Sequence, residues 1–296
     1  MQDNFVLREQ LAKIKSMQKF SDAWFTELYL KYGSVEEAIR SYPDSLPISI
    51  ANYHRLVKKY GLIKSAGRHV SLPETLHFFR EKAFEPGTPL ERIYAQMPPS
   101  FQTSLSTLHR IYQYMEKAVV RRHAAALIAT AGNSGEVLVG REVFGNSRYG
   151  KKVGDISLPM SFAKKDESNF DSALRVLQQE VFARLAASGE LKRDSTLVKR
   201  ILSKNIEPVF YFDIVDVRVQ VYEIILPTQA SEFSSFKLVE HKYENLHTLS
   251  VMPNLRTGIG EILKLYGDYL YKPLTLKVPT YHVSSINLAL AWRESE

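Results

Sequence analysis

Residues Leu158–Ala183 read LPMSFAKKDESNFDSALRVLQQEVFA. A polar, charged stretch runs into a segment where Ala173, Leu174, Leu177, Val181 and Leu185 recur at helical spacing. This pattern predicts a loop leading into an amphipathic helix whose apolar side faces a core. Positions 176, 179 and 180 are spaced i, i+3 and i+4 and so share one face of such a helix. Here that face carries Val176, Gln179 and Glu180.

The flanking sequence sets this segment in an α/β frame. Two strand-like runs precede it, HAAALIAT at His123–Thr130 and GEVLVGREV at Gly135–Val143, separated by the turn sequence Ala131-Gly132-Asn133-Ser134. Two more follow, PVFYFDIV at Pro208–Val215 and VRVQVYEIIL at Val217–Leu226, and then a helical run, GIGEILKLYGDYL, at Gly258–Leu270.

With that order in place, the segment resembles the Nudix box, G-x5-E-x7-R-E-U-x-E-E-x-G-U, where U is bulky and apolar. Ser161 stands at the first Gly, Glu167 and Arg175 fall on their positions, and Leu177 and Glu180 match further on. Val176 replaces the Glu after the Arg, Gln179 the first Glu of the pair, and Phe182 the second Gly. The resemblance covers about Arg122 to Tyr271 and implies an α-β-α sandwich. In the family, helix carboxylates hold Mg²⁺ against a substrate diphosphate. Carried onto this chain, that implies Glu180 and Glu167 as catalytic and metal-ligating residues, and Ser161, Arg175 and Gln179 as ligand contacts. A hard divalent ion with one carboxylate on the helix face is held weakly. The resemblance therefore implies a domain that binds a nucleotide or nucleotide sugar without efficient hydrolysis. The alternative is an Mg²⁺-dependent hydrolase of a nucleoside diphosphate derivative.

Two other regions add candidate ligand groups. The loop GNSRYGKKVG, Gly145–Gly154, offers Arg148, Lys151 and Lys152 to a phosphate. Glu240 and Glu244, in VEHKYENLHTL, stand where some Nudix enzymes supply a late acid from a loop. The eight histidines show no metal-ligand spacing. KPLTLKVPTYHV, near the C-terminal end, reads as strand-like with prolines.

The N-terminal part contains a repeat at an offset of 55 residues. Val35-Glu36 answers to Leu90-Glu91, Pro43 to Pro98, Ser49 to Ser104 and His54-Arg55 to His109-Arg110. Each copy reads as a leading helix and then a helix, a Pro-containing turn and a second helix. Ser34-Val35-Glu36-Glu37 is a capping box. The apolar stripe Ile50, Tyr53, Leu56, Val57, Tyr60 matches Leu105, Leu108, Ile111, Tyr112, Met115. These units resemble tandem helix-turn-helix modules of the homeodomain-like type, with divisions at 1–68, 69–122 and 123–296. The resemblance implies DNA binding through Ser49, Asn52, Arg55, Lys58, Lys59, Lys64 and Arg68 in the first unit and Ser106, Thr107 and Arg110 in the second.

Charge and composition agree with that division. The 296 residues carry a net charge of +7, and residues 1–122 hold 18 Lys+Arg against 12 Asp+Glu. A basic surplus confined to one part is the electrostatic footprint of polyanion binding. The chain has no cysteine, which excludes disulfides, thiol nucleophiles and Cys-ligated zinc. No apolar run approaches the roughly eighteen residues of a membrane span, and Met1–Phe20 is charged, so a cytoplasmic protein with no membrane partner is expected. The whole is a multidomain chain: tandem all-α helix-turn-helix modules ahead of an α/β Nudix-like sandwich. The expected function is a DNA-binding transcriptional regulator, with a homodimer compatible. Known Nudix-related repressors carry the DNA-binding unit after the Nudix domain, so the order here is reversed.

Overall fold

The computed structural model describes residues 20–42, 46–64, 122–132, 135–144, 152–214, 217–227, 232–272 and 278–285, with single residues 95, 120 and 287. The second helical unit, with Ser106, Thr107 and Arg110, lies outside the described residues, as do Arg68, Arg148 and Lys151.

Three helices open the described chain: α1 (Asp22–Tyr32), α2 (Val35–Ser41) and α3 (Ile50–Lys59). Each begins on a serine whose Oγ accepts from a backbone N–H three residues on: Ser21 from Trp24, Ser34 from Glu37 and Ser49 from Asn52. Gly33, in the left-handed region, closes α1. The Tyr53 hydroxyl donates to the Phe25 carbonyl at 2.6 Å, tying α3 to α1. Tyr53, Leu56 and Val57 are buried as the stripe predicts, but Ile50 is 55% exposed. It is the first helical residue, one turn short of the packed surface. Residues 42–49 separate α2 from α3, a longer link than the roughly three or four residues of a helix-turn-helix.

The rest is an eight-stranded mixed sheet with helices on both faces. Its strands are β1 (Arg122–Thr130), β2 (Glu136–Glu142), β3 (Ile156–Ser157), β4 (Met160–Ala163), β5 (Phe210–Ile214), β6 (Val217–Ile225), β7 (Leu238–Asn245) and β8 (Thr280–Val283). The order is β3-β2-β1-β6-β5-β8, with β4 beside β1 and β7 beside β2. β1 is central. It runs parallel to β6 over its whole length and antiparallel to β4 over His123–Ala126. Ala124, Ala126 and Ile128 face one core while Ala125, Leu127 and Ala129 face the other, which is why its sequence is apolar without alternation. The four expected strands and the helix α8 (Ile259–Leu270) are all present. β7 is a correction: Glu240 and Glu244, read as loop acids, lie on a strand. As a partly solvated edge strand pairing only β2, β7 lacks the apolar pattern that marks an interior strand.

One core lies between the sheet and α8, together with α7 (Leu246–Ser250). The other holds the box helix: α4 (Asn169–Val176), a π-helical turn Leu177–Val181, and α5 (Ala183–Ala187). A further short helix, α6 (Thr196–Ile201), follows. The expected amphipathic pattern does not hold for the box helix, since every residue from Ser172 to Ala183 is buried. The sheet covers one side, and Phe25, Tyr29, Leu30 and Leu56 of the three-helix unit belong to the same core on the other. The Thr26 hydroxyl is 2.9 Å from the Ala187 carbonyl across that contact.

Candidate ligand site on the box helix

The loop before α4 and the helix itself bring Ser161, Glu167 and Arg175 together. Arg175 is fully buried, and its Nε and Nη2 donate to Glu167 Oε2 at 3.1 and 2.9 Å. Its Nη1 donates to Ser161 Oγ, and Ser172 Oγ donates to Glu167 Oε2 at 2.9 Å. Glu167, only 6% exposed, is thus enclosed by donors that neutralise it. A carboxylate in this position fixes the loop to the helix. Tyr222 supports the same end: its hydroxyl is 3.0 Å from Asn169 Oδ1 and 2.9 Å from Gln220 Oε1, and burial raises its pKa.

Val176, Gln179 and Glu180 do not form a metal-binding face. Val176 packs wholly into the core. The turn from Leu177 to Val181 is π-helical, closed by the Phe182 N–H bonding the Leu177 carbonyl at 2.8 Å, so side chains beyond it leave α-register. Phe182, at the position of the box's second Gly, breaks the helix with φ −125 and ψ 45. The break is filled from outside. The Ser234 N–H donates to the Val181 carbonyl at 2.7 Å, and Ala183 N–H donates to the Ser234 carbonyl at 2.9 Å.

This strap delivers a cation to the box. Lys237 Nζ is 2.8 Å from Glu180 Oε1, and the Ser235 hydroxyl is 3.1 Å from Oε2. The Lys237 side chain is a quarter exposed while that of Glu180 is 2% exposed. His241, on β7, sits 3.3 Å from the Glu180 carbonyl. Burial holds its pKa below the ordinary histidine value, against the opposing pull of Glu180. Gln179 is 1% exposed, and among the described residues no hydrogen-bond partner reaches either atom of its carboxamide.

These residues do not fit Mg²⁺. Both box carboxylates are engaged by cations of the chain itself, and among the described residues no three His, Asp or Glu side chains converge on a point. The candidate late acids are also paired: Glu240 with Arg141 at 3.0 Å and Glu244 with Lys242. Lys152 has an exposed side chain, and its backbone N–H bonds Asp155 at 2.7 Å.

On the three-helix unit, Ser49, Asn52, Arg55, Lys58 and Lys59 are all exposed on α3. Ser49 is engaged as a cap, Arg55 donates to Asn52 Oδ1 at 3.0 Å, and Lys59 pairs with Asp22 at 2.7 Å. Lys64 Nζ is 3.1 Å from His54 Nδ1.

Sequence reading missed Lys237, Ser235, His241 and Gln178. Lys237 and Ser235 stand more than fifty residues past the box with no motif of their own, and Gln178 occupies a position that the box leaves open.

No family model matches the chain, and no characterised protein matches it in sequence. In fold it is similar to solved Nudix structures. A Nudix hydrolase from Nitrosomonas europaea is 13% identical with a TM-score of 0.38, over 56% of this chain and 80% of the other. The MutT protein from Methanosarcina mazei Go1 is 16% identical at 0.36, over 52% and 98%. The Nudix domain of Shewanella oneidensis NrtR, solved with ADP ribose, is 14% identical at 0.34, over 62% and 99%. The C-terminal part of this chain is an α/β fold built on a mixed sheet.

Proposed function

We propose that the protein is a DNA-binding regulator whose Nudix-like domain binds a nucleotide-type ligand without metal and without hydrolysing it. The observation that carries the reading is the ion pair between Glu180 and Lys237. The last carboxylate left on the box's metal face is neutralised by an ammonium of the same chain. A site so arranged has no charge to attract a divalent ion, but Lys237, partly open to solvent, can meet a phosphate oxygen. The unpartnered carboxamide of Gln179 adds a donor and an acceptor.

The DNA-binding half of the reading draws on the basic surplus of residues 1–122 and on the exposed face of α3. The Asn52–Arg55 bond holds two side chains suited to base edges in a fixed relation, and Lys58 suits phosphate. An effector alters DNA affinity only by binding two conformations unequally.

Two measurements test this. Duplex DNA from the chain's own upstream region should be shifted in a salt-dependent way; no shift at low salt overturns the DNA-binding half. A thermal-shift panel of nucleotides and nucleotide sugars should give stabilisation that does not change with Mg²⁺. Turnover that needs Mg²⁺ and is abolished by Glu180→Gln overturns the non-hydrolytic half.

A further inference from the structure

Gln178 is 1% exposed, and its carboxamide bonds backbone far from it in sequence or beyond its own helix. Its Nε2 donates to the Gly61 carbonyl at 3.0 Å and to the Leu191 carbonyl at 2.9 Å, and its Oε1 accepts from the Ile63 N–H at 2.9 Å. Gly61 and Ile63 form the turn that leaves α3. Gly61 adopts φ +67, and a Cβ there would stand 3.0 Å from Lys192 Cγ, so this turn is fitted closely to the box side. The carboxamide therefore grips the end of α3, whose exposed face carries the candidate DNA contacts of the first unit.

Three consecutive residues of the π turn face three ways. Gln178 holds the three-helix unit, Gln179 is buried with an unpartnered amide, and Glu180 holds the strap through Lys237 and Ser235. A π turn is an α-helix with one residue inserted, and its loss turns the following side chains by about 100° around the axis. A return of residues 177–181 to α-register would release Gln178 from Gly61 and Ile63 together with Glu180 from Lys237.

We propose that Gln178 is a positioning residue that couples the box to the three-helix unit, with the π turn as the two-register element between them. The proposal supplies a route of regulation for the reading above and rests on it. Its test uses the full chain without DNA or nucleotide. A protein that binds no DNA would still report the coupling, and lost coupling would leave DNA binding measurable.

The test is hydrogen exchange of backbone amides after Lys237→Met, which disturbs the strap side of the turn only. Measured against β5 and α8, whose amides report the global loss of stability, amides of α3 and of residues 61–64 should exchange about fivefold faster. With Gln178→Met in addition, Lys237→Met should no longer change α3 exchange. Gln178→Glu, which keeps the size and the acceptor, serves where the Met variant does not fold. Unchanged α3 exchange in Lys237→Met, or an equal change with Gln178 replaced, overturns the proposal.

Discussion

Replacing Lys237 by Met tests whether its ammonium is the counterion of the box. At 2.8 Å and an effective dielectric near 20, the gross attraction to Glu180 is about 6 kcal/mol. Desolvation of the two ions offsets most of this. Removing one partner of a fully buried pair costs about 3–5 kcal/mol because the other charge is left uncompensated. Lys237 is a quarter exposed, so water reaches the vacated position, and Ser235 still serves Glu180. The expected loss is therefore smaller, about 2 kcal/mol. Glu180→Gln should be destabilising on its own, and the double variant should be more stable than additivity predicts by about 1.5 kcal/mol. Urea unfolding of the four proteins at one pH measures this, with an unchanged slope confirming that only stability moved. Additive single effects would refute the reasoning.

Arg175→Met should cost about 3–5 kcal/mol in the same assay, because it strands Glu167 in the core, and adding Glu167→Gln should recover a large part. Stability should fall as the pH drops from about 7 to 5, because buried His241 has a folded pKa below its unfolded value and the unfolded chain binds the extra proton. His241→Asn should flatten that slope, and an unchanged slope would remove His241 from the account. Gly258→Ala should cost about 2 kcal/mol, since its φ is +83 and the new Cβ would stand 2.4 Å from Ile214 Cδ1. Lys58→Ala should weaken DNA binding evenly across sequences and lower the salt slope by about one, whereas Arg55→Ala should relax preference at a base position; gel shifts at several salt concentrations separate the two.

The sequence alone determined the elements whose pattern is local. β1, β2, β5, β6 and α8 were legible because strand-like apolar runs and a helix with an apolar stripe announce themselves within about ten residues. The Ser34 cap and the spacing of Ser161, Glu167 and Arg175 were legible for the same reason: the partners lie within one turn or one loop. Tertiary structure alone decided the rest. Periodicity predicted a box helix with one polar face, but the three-helix unit covers that face, and no periodicity in the helix records what packs on it. Lys237 finds Glu180 across 57 positions, and Gln178 finds Gly61 across 117. Both pairs are electrostatic complements created by folding, and neither residue carries a mark of its role in its own neighbourhood. The sequence showed that of positions 176, 179 and 180 only the last carries a carboxylate. Only the fold showed that the remaining one already has its cation.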